Sequence, residues 1–133
     1  LTLGDTPVQL YVTPGHTPGT LSLIFPVYDQ GVEHQVALWG GTGLNFGPDR
    51  QRILAYSASA ERFRELAKEQ GADIFMSNHP ARDGARERLP LLKQRQPGQP
   101  HPFVATPADV QGAFELLRDC SYAQALTLDV KKP

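Results

Sequence analysis

The sequence predicts a mixed α/β fold in which a mixed β-sheet carries helices on one face, and three observations lead there. Apolar and polar residues alternate or run continuously through the first 42 residues, at the two-residue period of strands. From Ile53 onward the apolar residues recur at helical spacing, and a short apolar strand, Ala72 to Ser77, interrupts the helical part. The order hairpin, hairpin, helix, strand, helix, helix is that of a single sheet covered by helices.

The first predicted strands are Thr2-Leu3, turned by Gly4-Asp5, and the run in which Val8, Leu10 and Val12 alternate with Gln9, Tyr11 and Thr13, forming a hairpin. A second, central hairpin follows, because Leu21 to Val27 is nearly all apolar, Asp29-Gln30-Gly31 signals a turn, and Gln35 to Trp39 returns. Gly40 to Asp49 is rich in Gly, Asn and Pro and predicts a loop at the sheet edge. The next segment places Ile53, Leu54, Phe63, Leu66 and Ala67 on one helical face, closed by Gly71. Gly84 to Gln94 is a further helix punctuated by Pro90, and Gln96 to Pro102 is a surface loop. Thr106-Pro107-Ala108-Asp109 starts the last helix, with Thr as cap and Pro in the first turn, and puts Val110, Ala113, Phe114, Leu117 and Cys120 on one stripe. Residues 129–133 read as a frayed tail.

Composition narrows the functions. A chain of 133 residues with 40% apolar content suits one domain, residues 1–133, that buries roughly two-thirds of its unfolded surface. A net charge of -1 leaves no excess of one sign to attract nucleic acid or an anionic membrane surface, and no apolar run has membrane-spanning length. The lone Cys120 excludes an internal disulfide framework and a cysteine-only zinc site. The start at Leu1-Thr2-Leu3, with no initiator Met and no basic and apolar leader, reads as an excised or processed piece.

The chemistry concentrates in two segments. Thr13 to Gly19 reads TPGHTPG, so His16 is held between two Pro-Gly turns directly after a strand, and His79 stands in Ser77-Asn78-His79-Pro80 at the end of another. Imidazole is the commonest zinc ligand and binds best when the backbone fixes the ring beforehand, which Pro14-Gly15 and Pro18-Gly19 do for His16. The Thr17 and Thr20 hydroxyls are available to support the ring. Taken alone, a histidine that merely caps a strand end in a rigid turn satisfies the same pattern.

With both segments in view the chain resembles the carboxyl-terminal half of the metallo-β-lactamase superfamily: TPGHTPGT after a hairpin, a strand ending in a Gly-rich turn, and SNHP after a later strand. The resemblance covers most of the chain and implies half of an αββα sandwich. Carried over by motif, it makes His16 a ligand of the first metal and His79 a ligand of the second, with zinc as the cofactor. It further implies hydrolysis of a lactam, ester or thioester carbonyl of a small-molecule substrate by the parent enzyme, and it is nearest to the lactamase-like branch whose second metal relies on histidines. Two departures from the family pattern stand out. The H-x-H-x-D-H string that supplies most ligands is absent, and Gly40-Gly41-Thr42-Gly43 replaces the Asp, Cys or Ser that many members carry; the Thr42 hydroxyl is a poor bridging ligand.

The expectation is thus a hydrolase-derived half-domain, inactive by itself, with a weak or incomplete zinc site and no catalytic residue of its own. The competing expectation is a non-catalytic module. Nothing in the sequence covers the second sheet face, so that face would meet a missing amino-terminal half or a second copy of the chain.

Other residues draw plainer readings. Gly40 to Gly43 lacks the following helix and the Lys of a phosphate-binding loop. His34 and His101 read as solvent-facing, and Asp83 either orients the imidazole of His79 or is solvated at the surface. Cys120 reads as a small core residue. Trp39 and Phe46 either line a substrate pocket or pack in the core.

Overall fold

A computed structural model describes residues 1–129. Six strands and three helices follow in the order β1 (Thr2–Leu3), β2 (Thr6–Pro7), β3 (Gln9–Val12), β4 (Leu21–Asp29), β5 (Val32–Trp39), α1 (Arg50–Glu69), β6 (Ile74–Ser77), α2 (Ala85–Gln94) and α3 (Pro107–Thr127). The main sheet has the order β3-β4-β5-β6, antiparallel except for the parallel β5-β6 pair. A parallel neighbour needs a long crossover, and α1 supplies it.

The second hairpin forms as its turn chemistry requires. Asp29 pairs with Val32 across a two-residue loop, and Gln30 and Gly31 take φ values of 52° and 84°. Positive φ at both positions is the turn whose twist matches paired strands.

The first hairpin differs from the expectation. Thr2–Leu3 pairs only with Thr6–Pro7, and β3 joins β4 instead. The alternation in β3 holds, with its apolar pair on the face away from the helices. Tyr11 turns to the helix layer, its ring 5.8 Å from that of Phe63, and Thr13 is buried, whereas Leu10 and Val12 lie on the other face at 44% and 51% exposure. Alternation fixes which residues share a face; it does not say which face the helices cover.

α1 and α3 cover the face of Ile24, Ala37 and Trp39, forming one core with Tyr56, Ala60, Phe63, Val110 and Phe114. Its centre is aromatic: Trp39, Phe63 and Phe114 sit 5.3 to 6.0 Å apart in tilted and edge-on pairs, and the half-buried Phe75 adds a fourth ring. Asp49 caps α1, with its side chain accepting from Arg52 N, and Thr106 and Asp109 form a reciprocal capping box on α3. Leu54 and Leu66 are only half-buried, and Tyr56 holds the place between Ile53 and Phe63.

Cys120 is exposed, contrary to its expected core position; Ser121 and Ala125 continue the buried stripe of α3. The stripe drifts by one residue because 3.6 residues per turn do not keep a strict seven-residue repeat in register. The Ser121 hydroxyl is accommodated by the Leu117 carbonyl at 2.7 Å.

The opposite sheet face carries Leu10, Val12, Leu21, Leu23, Phe25, Val36, Leu38, Ile74 and Met76. α2 and the segment through Phe103 and Val104 flank its β6 side, where Val36, Ile74, Ala85 and Phe103 are buried together. Toward β3 it is open, and Leu21 is 46% exposed.

His34 and His101 are half-buried, not solvent-facing as read from sequence. His34 Nδ1 meets Asp73 Oδ2 at 2.6 Å, and His101 Nδ1 accepts from Phe103 N. Both border the open face at the end of the sheet remote from His16, since His34 pairs with Val27 near the Asp29 turn. Of the expected tail, Asp129 is tied to Arg50 at 2.7 Å, and residues 130–133 lie outside the described residues.

An ion-pair network joins α1 and α3: Glu61 accepts from Arg64 and Arg118, and Arg64 also reaches Glu115. The Arg64 and then the Arg118 guanidinium hold the Glu61 carboxyl at about 2, below its ordinary 4.5. A lowered folded-state value means that Glu61 stabilises the fold above pH 4.5 and that this contribution is lost as pH falls from 4.5 toward 2. Because the Glu61 side chain is 40% exposed, the contribution is modest and screened by salt. Glu61→Gln should flatten the acid limb of a stability curve measured by urea unfolding from pH 5 down to pH 2, with little change in m-value.

Candidate metal-binding rim

The register sets four strand ends side by side. Val12 pairs with Leu21, and Trp39 pairs with Ser77. Gly40 lies so close to the Leu21 carbonyl that a Cβ would sit 1.7 Å from its oxygen. The loops Thr13–Thr20, Gly40–Asp49 and Asn78–Gly84 therefore leave one rim of the sheet together, and they carry His16, Thr42 and His79.

The TPGHTPG loop is anchored from beneath by α1. Thr13 N donates to Thr20 O at 2.8 Å, closing the loop, and Ser59 Oγ donates to Pro14 O at 2.7 Å. Arg52 donates to the Gly15 and His16 carbonyls and stacks on Phe46, 3.8 Å from the ring centre. Gly15 is required here: its φ is +140°, and a Cβ would lie 2.5 Å from the Cα and Cβ of Tyr56. Tyr56 in turn accepts from Trp39 Nε1 at 3.0 Å, so the loop rests on the aromatic core.

His16 is half-buried, and its Nδ1 lies 2.9 Å from Gly43 O. A carbonyl can only accept, so Nδ1 carries the proton and Nε2 keeps the lone pair that a metal needs. The expected hydroxyl support is not used: Thr17 Oγ1 and Thr20 Oγ1 bond each other at 2.9 Å, and the Gly43 carbonyl takes the orienting part.

His79 is exposed, and its backbone N donates to Ser77 Oγ at 3.1 Å. Ser77 Oγ is also bonded to Thr42 Oγ1, so the loops carrying His16 and His79 are joined through Thr42-Gly43 and Ser77. Asp83 neither orients His79 nor faces solvent. It is buried and accepts from Ser77 N and Ala85 N, each at 2.9 Å, bracing the His79 loop and the start of α2. Trp39 belongs to the core, and Phe46 serves as the platform for Arg52.

Two imidazoles are fewer than the three or four protein ligands of a zinc site. Among the described residues no group of three His, Cys, Asp or Glu side chains is placed to hold a metal ion. The donor set therefore fits a contribution to a metal centre and not a complete one.

Sequence reasoning missed Ser77, Gly43, Arg52 and Tyr56. Tyr56 was detectable, since Ile53, Tyr56, Ala60 and Phe63 have helical spacing. The Gly43 carbonyl has no side-chain signature.

The sequence matches no family model and no curated protein. The fold does match solved structures. BJP-1, a subclass B3 metallo-β-lactamase of Bradyrhizobium japonicum, aligns at TM-score 0.76 and 22% identity over 97% of this chain and 48% of that one. Native FEZ-1 metallo-β-lactamase from Legionella gormanii aligns at 0.76 and 23% over 98% of this chain and 50% of that one. The class B3 di-zinc metallo-β-lactamase LRA-12 from an Alaskan soil metagenome aligns at 0.62 and 16% over 96% and 46%. The chain therefore has a metallo-β-lactamase fold, as the TPGHTPG and SNHP segments implied. It spans about half the length of these structures.

The Gly15 contact yields a direct expectation. Gly15→Ala must push the loop off Tyr56, at a cost on the order of 3 kcal/mol for strained backbone and overpacking combined. Chemical unfolding should show that loss, and the His16 ring resonances should shift in NMR spectra of the variant.

Proposed function

We propose that this chain is the carboxyl-terminal half of a metal-dependent hydrolase of metallo-β-lactamase type, and that His16 and His79 each donate one ligand to a two-zinc centre completed by an amino-terminal half. One observation carries the reading: both histidines leave the same rim, and hydrogen bonding to Gly43 leaves Nε2 of His16 available as a metal donor. Bound zinc would supply an activated water and polarise the carbonyl of a small-molecule lactam, ester or thioester. The absent H-x-H-x-D-H ligands make the isolated chain inactive in this reading.

The open sheet face supports the partner. Leu10, Val12 and Leu21 are each more than 40% exposed, in a contiguous patch formed by the β3-β4 pairing. A face of this kind requires cover. A counterpart about as long as this chain accounts for the other half of the B3 structures, and we assign it to that face. A non-catalytic module that pairs two copies through the same patch is the second reading. Light scattering separates them, because a concentration-independent dimer would favour the second copy.

Calorimetric titration of the purified chain with zinc should show weak binding, lost at least tenfold on His16→Ala or His79→Ala, with circular dichroism unchanged. Zinc retained after dialysis should be substoichiometric, and lactam and lactone substrates should not turn over. Zinc binding insensitive to both substitutions, or robust zinc-dependent hydrolysis by this chain alone, would overturn the proposal.

A further inference from the structure

A cavity of about 370 Å³ lies on the helix side of the Thr42–Leu44 loop, between the sheet and the second half of α3. Its size is within the ordinary range for small-molecule sites. Leu44, Leu117 of α3 and Phe75 of the helix-covered face form its accessible apolar wall above the buried Trp39 and Tyr56, so it is separate from the open face and from the side chains of His16 and His79.

Arg82 is the one charged side chain among the described residues that line it. The guanidinium makes no salt bridge or side-chain hydrogen bond to another described residue. The neighbouring carboxylate, Asp83, is engaged by the Ser77 and Ala85 amides. Burial raises the Tyr56 phenol; hydrogen bonds from Trp39 and Gly43 oppose that rise, and the Arg82 charge opposes it least.

We infer that this cavity binds a small aromatic carboxylate, with its apolar body against Phe75, Leu44 and Leu117 and the carboxylate paired with Arg82. The Phe75 ring and the Leu44 and Leu117 side chains beside it favour a flat apolar body. A guanidinium without a protein partner offers a two-pronged, charge-assisted site for a carboxylate and a weaker one for a neutral amide. A cationic ligand is disfavoured, because no carboxylate lines the cavity among the described residues.

This inference stands apart from the metal reading and is tested with a chelator present. Trp39 is the only tryptophan of the chain, so its indole N–H gives a single reporter resonance in a nitrogen-correlated NMR spectrum. Titration with naphthalene-2-carboxylate should shift that resonance saturably and slow the alkylation of Cys120, whose exposed thiol borders the same cavity. The matching carboxamide should bind at least tenfold more weakly, and Arg82→Gln should erase the difference by weakening the carboxylate at least tenfold. No saturable shift, equal affinity for carboxylate and carboxamide, or an Arg82→Gln variant that keeps full affinity would overturn the assignment. Should Arg82→Gln fail to fold, the comparison of the two probes on the parent chain decides.

Discussion

The contact between Gly15 and Tyr56 governs how this molecule is assembled. Tyr56 belongs to α1 and is packed edge-on against Trp39, whose indole N–H it accepts. Because Gly15 has no Cβ, the TPGHTPG backbone settles directly onto that tyrosine, and Arg52 and Ser59 of the same helix satisfy the carbonyls of Pro14, Gly15 and His16. A loop with so many turn residues would otherwise leave those carbonyls to water. The core thereby dictates where His16 stands, and the position of His16 is inherited from aromatic packing more than from its own interactions.

A second consequence is that rigidity at the rim is built from backbone and hydroxyl groups. Gly43 O orients the imidazole, Thr42 and Ser77 bridge two loops, and Asp83 ties the His79 loop to the start of α2. The Gly43, Thr42 and Ser77 groups hold geometry without adding charge, and Asp83 is the one carboxylate among these partners.

The two faces of the sheet embody the same division. One face is closed by four aromatic rings and two helices joined through Glu61, Arg64 and Arg118. The other carries nearly as many apolar side chains, yet toward β3 nothing among the described residues lies over them. Burial of apolar surface contributes roughly 25 cal/mol per Å², so an open face of this kind is unused stabilisation.

Much of this was legible in the residues themselves. The strand and helix periods, the Asp29-Gln30-Gly31 turn, the Thr106 cap and the two histidine motifs are local patterns, and local patterns follow from propensity and backbone geometry within a few residues. What lay beyond them was decided by contacts distant along the chain. Leu10 and Val12 face outward because α1 and α3 dock on the other side of β3, and Cys120 is exposed because the stripe of α3 drifts. His34 is drawn to Asp73, 39 residues away, and Asp83 turns inward to two backbone amides. The orienting partner of His16 is a main-chain carbonyl, which every residue possesses, so only the tertiary structure can select Gly43 from all the others.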